Sequence, residues 1–103
     1  FRIGGKVCQR KAELYKGLFD YMDALVNYRN ASDCFMNSGD TLSYVHNQLE
    51  LARLYILMDD FNSAALTANA LRNNWDVLDS LNVEILNHIL KRLVFYVLSV
   101  ARM

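Results

Sequence analysis

Apolar positions along the chain recur at helical spacing in five stretches. Val7, Cys8, Ala12, Tyr15 and Leu18 form a first stripe, and Tyr21, Ala24, Leu25, Tyr28, Ala31 and Phe35 a second. Leu42, Val45, Leu49, Ala52, Tyr55 and Ile56 make a third, and Phe61, Ala64, Ala65, Ala68 and Leu71 a fourth. A fifth runs from about Leu81 to Ala101, with Leu86, Ile89, Leu90, Leu93 and Val97 on its inner side. Positions three and four apart share one helix face, so each stretch predicts an amphipathic helix.

The breaks between stripes carry end signals. Gly17 weakens the close of the first helix, and Asp20 is placed to cap the second by accepting from open amides of its first turn. Asn37-Ser38-Gly39-Asp40-Thr41 is the clearest break: Gly39 suits a left-handed helix end, and Asp40 or Thr41 can cap the third helix. Asp59-Asp60 turns the third helix into the fourth, Asn73-Asn74 ends the fourth, and Asp79 or Ser80 can cap the last. The chain contains no proline and four glycines, which fits helices joined by short turns.

Sliding the sequence against itself by forty residues aligns Ala12, Leu14 and Tyr15 with Ala52, Leu54 and Tyr55. In the same register Leu18 meets Met58, while Asp20, Tyr21 and Ala24 meet Asp60, Phe61 and Ala64. The expected architecture is therefore all-α. Two antiparallel helical hairpins, about 6–37 and about 41–74, stack with a longer closing helix at about 80–101. Small residues at Ala12, Ala24 and Ala31 let helix backbones approach, with aromatics filling the space around them.

Ala12-x-x-Tyr15 followed by Asp20-Tyr21-x-x-Ala24-x-x-x-Tyr28-x-x-Ala31 resembles the tetratricopeptide repeat in order and spacing. Ala52-x-x-Tyr55 followed by Asp60-Phe61-x-x-Ala64-x-x-x-Ala68 matches it more loosely. The period departs from the family's roughly 34 residues, the family's Trp and Gly are missing from the first helix, and no proline closes either copy. Longer repeats of this kind are similar to those of the SNAP family of membrane-fusion adaptors and of the huntingtin-associated forty-kilodalton protein. The resemblance covers residues 8–75 and implies a right-handed superhelical stack that holds a partner protein. It further implies a concave wall made by the first helix of each hairpin. Here that wall would carry Gln9, Glu13 and Lys16, then His46, Leu49, Arg53 and Ile56, a mixed lining suited to a peptide or helix.

The last helix offers a second surface. Leu93-Val94-Phe95-Tyr96-Val97-Leu98 is apolar on nearly every side, so Leu93, Tyr96 and Val97 are candidate contacts. They would meet a partner helix, a second copy of the chain or the next repeat of a longer protein, unless the helix folds back across both hairpins. The run is too short to span a bilayer, which needs about 20 residues, and Lys91-Arg92 interrupts it.

Composition narrows the function classes. Eleven basic residues balance eleven acidic ones, so no net field recruits nucleic acid or an anionic membrane. The first sixteen residues are locally basic, through Arg2, Lys6, Arg10, Lys11 and Lys16 against Glu13. They read as a solvated helix face, with an electrostatic docking patch or a trimmed targeting segment as alternatives. Cys8 and Cys34 have neither CxxC nor metal-ligand spacing and read as reduced thiols, which gives a cytoplasmic expectation. The chain starts at Phe1 without a signal-like run and is expected to be a fragment of a longer protein. Asn30-Ala31-Ser32 fits a glycosylation sequon but falls inside a helix.

Candidate chemistry is sparse. His46 with Glu50, and Glu84 with His88, pair an imidazole and a carboxylate four residues apart, so a small helical metal-binding protein is one alternative. Gly4-Gly5-Lys6 lacks phosphate-loop spacing and reads as a flexible chain start. No serine sits in a nucleophile elbow, and Cys34 has no base nearby in sequence. The leading expectation is a non-enzymatic adaptor with no cofactor. The other alternative is the terminal segment of a longer solenoid, with a purely structural docking role.

Overall fold

A computed structural model describes the backbone over residues 2–72 and 80–101, and side-chain surroundings over residues 4–71 and 84–94. Five helices follow one another: α1 (Arg2–Gly17), α2 (Tyr21–Asn37), α3 (Thr41–Leu57), α4 (Phe61–Arg72) and α5 (Ser80–Ala101). No strand occurs among the described residues. The stripes thus became helices in the expected order. The capping of α5 by Asp79 and the stop at Asn73-Asn74 lie outside the described residues.

The three turns among the first four helices are one turn used three times. In each, the residue two past the helix is left-handed: Phe19 at φ 63°, Gly39 at 73° and Asp59 at 59°. Each left-handed residue donates its N–H to the carbonyl three back, on Lys16, Met36 and Ile56. The following aspartate N–H reaches five back, Asp20 to Tyr15 at 2.9 Å, Asp40 to Phe35 at 3.0 Å and Asp60 to Tyr55 at 2.9 Å. This paired closure satisfies carbonyls that a helix end leaves open. The same aspartates then cap the next helix: Oδ1 of Asp20, Asp40 and Asp60 accepts from the amides of Asp23, Ser43 and Ser63 at 3.3, 3.3 and 3.2 Å. Each aspartate closes one helix and opens another. The turn recurs every twenty residues, half the period that side-chain identity shows.

Turns of three residues leave no slack, so consecutive helices pack directly against each other, α1 on α2, α2 on α3 and α3 on α4. Ala12, Ala24, Ala31, Ala52, Ala64 and Ala68 are wholly buried, as close helix approach requires. Tyr28, Phe35, Leu49 and Leu54 fill the space around them. A buried polar staple joins α2 to α3. The Asn47 side-chain amide donates to the Tyr28 carbonyl at 2.8 Å and to Ser32 Oγ at 2.6 Å, and Ser32 Oγ donates to Gln48 Oε1. Of the sequon, Ala31 and Ser32 are buried within α2, whereas Asn30 is exposed on the helix. Finally, α5 lays Leu86, Ile89 and Leu93 onto α3 and α4.

Three expectations change. The first helix begins at Arg2, not near residue 6, and Gly4-Gly5 is helical where a flexible start was expected. Gly5 is needed there because a Cβ would stand 2.6 Å from the buried Phe35 ring. Leu49 is wholly enclosed, since α3 has neighbours on several sides, so it takes no part in an open wall. Leu93 is also buried, which gives the fold-back outcome at that position; the side chains of Tyr96 and Val97 lie outside the described residues.

Gly5→Ala tests the close approach. Alanine improves helix propensity by about 1 kcal/mol, whereas overpacking against Phe35 costs about 1–3 kcal/mol. The expected result is a lower melting temperature, and a much smaller loss when Gly5→Ala is made in a Phe35→Leu background. A higher melting temperature for Gly5→Ala alone would contradict the packing.

Candidate protein-binding face on α1, α3 and α5

Helical spacing brings Arg53, Ile56 and Leu57 to one face of α3, and His88, Ile89 and Arg92 to one face of α5. With Lys16, in the last turn of α1, these residues line a pocket of about 130 Å³. A shallower depression continues along α5 past Arg53, Glu84, Ile85 and His88. The apolar part of the lining is Ile56, Leu57 and Ile89, and the cations are Lys16, Arg53 and Arg92.

Glu50 organises two of those cations. It sits one turn before Arg53, and its Oε1 accepts from Arg53 Nη1 at 3.2 Å while Oε2 lies 3.8 Å from Lys16 Nζ. The Glu50 side chain is only 13% exposed, so it ties α1 to α3 from beneath and leaves the cations facing outward. Pairs this close to solvent contribute about 0.2–1 kcal/mol, so Glu50 matters more for placement than for stability. The charged residues that line the pocket itself are cations, Lys16, Arg53 and Arg92, with Glu50 beneath them and Glu84 in the adjoining depression offsetting part of that charge.

Tyr28 of α2 lies under this arrangement, wholly buried, and no protein atom pairs with its hydroxyl. Burial pushes its ionisation well above the ordinary phenol range; the charges of Glu50 and Glu13 push the same way, and Arg53 opposes them.

Of the seven wall residues expected from the sequence, Lys16, Arg53 and Ile56 meet at the pocket. Gln9 is half-buried and Glu13 and His46 are exposed, but none of the three lines it. Glu50, Leu57, His88, Ile89 and Arg92 belong to the site and were not assigned to it from sequence. The spacing of Glu50 with Arg53 was legible; the docking of α5 beside α3 was not. Of the candidate metal pairs, Glu50 is paired with Lys16 and Arg53. No group of three His, Cys, Asp or Glu side chains among the described residues could hold a metal. Cys8 and Cys34 are free, half-buried thiols. No helix among the described residues is long and apolar enough to cross a membrane. Comparison with known proteins finds no matching family model, curated protein or solved structure.

The Tyr28 hydroxyl gives an alkaline signature. Above about pH 10 the unfolded chain releases this proton while the folded chain retains it, so stability falls as pH rises through that range. Tyr28→Phe should keep the stability at neutral pH within about 1 kcal/mol, because it removes an unpaired buried hydroxyl. It should also flatten the alkaline loss in thermal melts from pH 9 to 11. An unchanged pH slope would contradict the burial of this phenol.

Proposed function

We propose that the chain is a non-enzymatic interaction module: a right-handed, tetratricopeptide-like stack of two hairpins and a closing helix that holds a partner protein. The observation that carries this reading is the convergence of Lys16, Arg53 and Arg92 around Ile56, Leu57 and Ile89 on α1, α3 and α5. The forty-residue recurrence supports the stack, since each hairpin alone leaves an apolar face uncovered. A cationic rim over an apolar floor suits an amphipathic helix that places carboxylates beside apolar anchors. The partner is therefore read as an acidic helix or peptide laid across the three helices. The free thiols accord with a cytoplasmic setting for such an adaptor.

A synthetic amphipathic Leu/Glu helix with a fluorescent label serves as probe. Fluorescence anisotropy should show binding that weakens with salt and exceeds that of a Leu/Lys helix of equal length. Arg53→Glu and Arg92→Glu should each weaken binding at least tenfold, about 1.4 kcal/mol, with the helical circular dichroism spectrum retained. Equal binding of both helices, or no effect of either substitution, would overturn the reading.

A further inference from the structure

The α1–α2 turn breaks the rules that the rest of the fold keeps. Phe19 is 79% exposed, with Leu18 at 74% and Met22 at 63% beside it. Phe19 also takes the left-handed conformation, which costs a residue with a Cβ about 1–2 kcal/mol. The same turn is made elsewhere without that penalty by Gly39, and with a smaller one by Asp59. In the forty-residue register, Leu18, Phe19 and Met22 correspond to Met58, Asp59 and Asn62, of which Met58 is half-buried and the other two are polar. The turn itself therefore does not require these apolar side chains. The Phe19 ring lies edge-on to Tyr21, with centroids 6.4 Å apart and planes at 73°. An observed strain at an exposed aromatic is a reason to look for what that ring meets.

Charge identifies the occupant. Asp20 and Asp23 stand at the base of the turn, where a side-chain hydrogen bond with Asp20, and then its charge, raise the Asp23 carboxyl above its ordinary range. An acidic, apolar tip is the complement of the pocket described above, with its apolar floor and its rim of Lys16, Arg53 and Arg92. An anionic lipid surface would be repelled by the two carboxylates. Lys16 lines the pocket and Phe19 lies three residues on, so tip and pocket occupy the same end of the molecule. That placement suits a two-fold pairing, in which each copy gives its tip and receives the other's.

We infer that the Leu18–Phe19–Met22 tip of one copy seats in the α1–α3–α5 pocket of a second copy, closing a dimer that a partner's acidic helix must displace. The inference rests on the pocket being a binding site, as proposed above. It moves self-association from the last helix to the first turn.

Sedimentation equilibrium on the full chain tests it. The mass should rise from 11.9 kDa toward twice that value across a concentration series. Phe19→Gly should weaken the dimer at least tenfold while raising the melting temperature measured at dilutions where the chain is monomeric, because glycine relieves the left-handed strain; a purely structural residue would not separate the two. Asp23→Lys and Arg92→Glu should each abolish the dimer, and an equimolar mixture of the two variants should restore it. A monomer at every concentration would overturn the inference, as would a dimer indifferent to Phe19→Gly or a mixture that fails to associate. So would Phe19-dependent capture by phosphatidylcholine–phosphatidylserine vesicles in place of dimerisation. If the chain stays monomeric yet binds the Leu/Glu helix through Arg53, only this inference fails. If the Leu/Glu helix is also ignored, the pocket reading fails with it.

Discussion

One carboxylate per turn sets the relation of each helix to the next. Asp20, Asp40 and Asp60 each give a backbone N–H to the helix behind and a side-chain oxygen to the helix ahead. A cap of this kind contributes about 1 kcal/mol, but its larger effect is geometric. With the helix ends fixed and only three residues between them, a helix has nowhere to go but back along its predecessor. The alanines at the contacts then bring the axes close, and the Asn47–Ser32–Tyr28 staple fixes how α3 sits on α2.

The site arises from that alternation. Reversing direction at every turn brings the end of α1 to α3, where Lys16 pairs with Glu50, and α5 packs on α3 and α4, so residues from α1, α3 and α5 come to one pocket. Glu50 then links α1 to α3 through Lys16 and Arg53, and the buried Tyr28 lies beneath. Burial also separates positions that the sequence treats as equivalent. Leu54 is wholly buried in a helix with neighbours on both sides, whereas Leu14, its counterpart in the first helix, is 69% exposed.

Much of this was legible in the sequence because the underlying interactions are local. Apolar periodicity and capping aspartates specify helices and their ends, and both act within a few residues. The twenty-residue turn was hidden because its recurring feature is a backbone conformation, occupied by Phe19, Gly39 and Asp59 in turn. The helical start at Gly4-Gly5 was hidden for a different reason: Gly5 is fitted to Phe35, thirty residues away. Of the wall residues assigned by resemblance, Lys16, Arg53 and Ile56 line the pocket, whereas Leu49 is enclosed by the core. The α5 share of the pocket depends on how a helix docks after a connection of its own, and no pattern within α5 encodes that.

The most direct test of the central claim, that α1, α3 and α5 present one binding face, is residue-resolved nuclear magnetic resonance during titration with the Leu/Glu helix. Shifts should concentrate at Lys16, Arg53, Ile56, Ile89 and Arg92, with the outward residues Val26, Asn30 and Leu66 of α2 and α4 unmoved. Shifts that fall on α2 and α4 while the pocket residues stay still would contradict it.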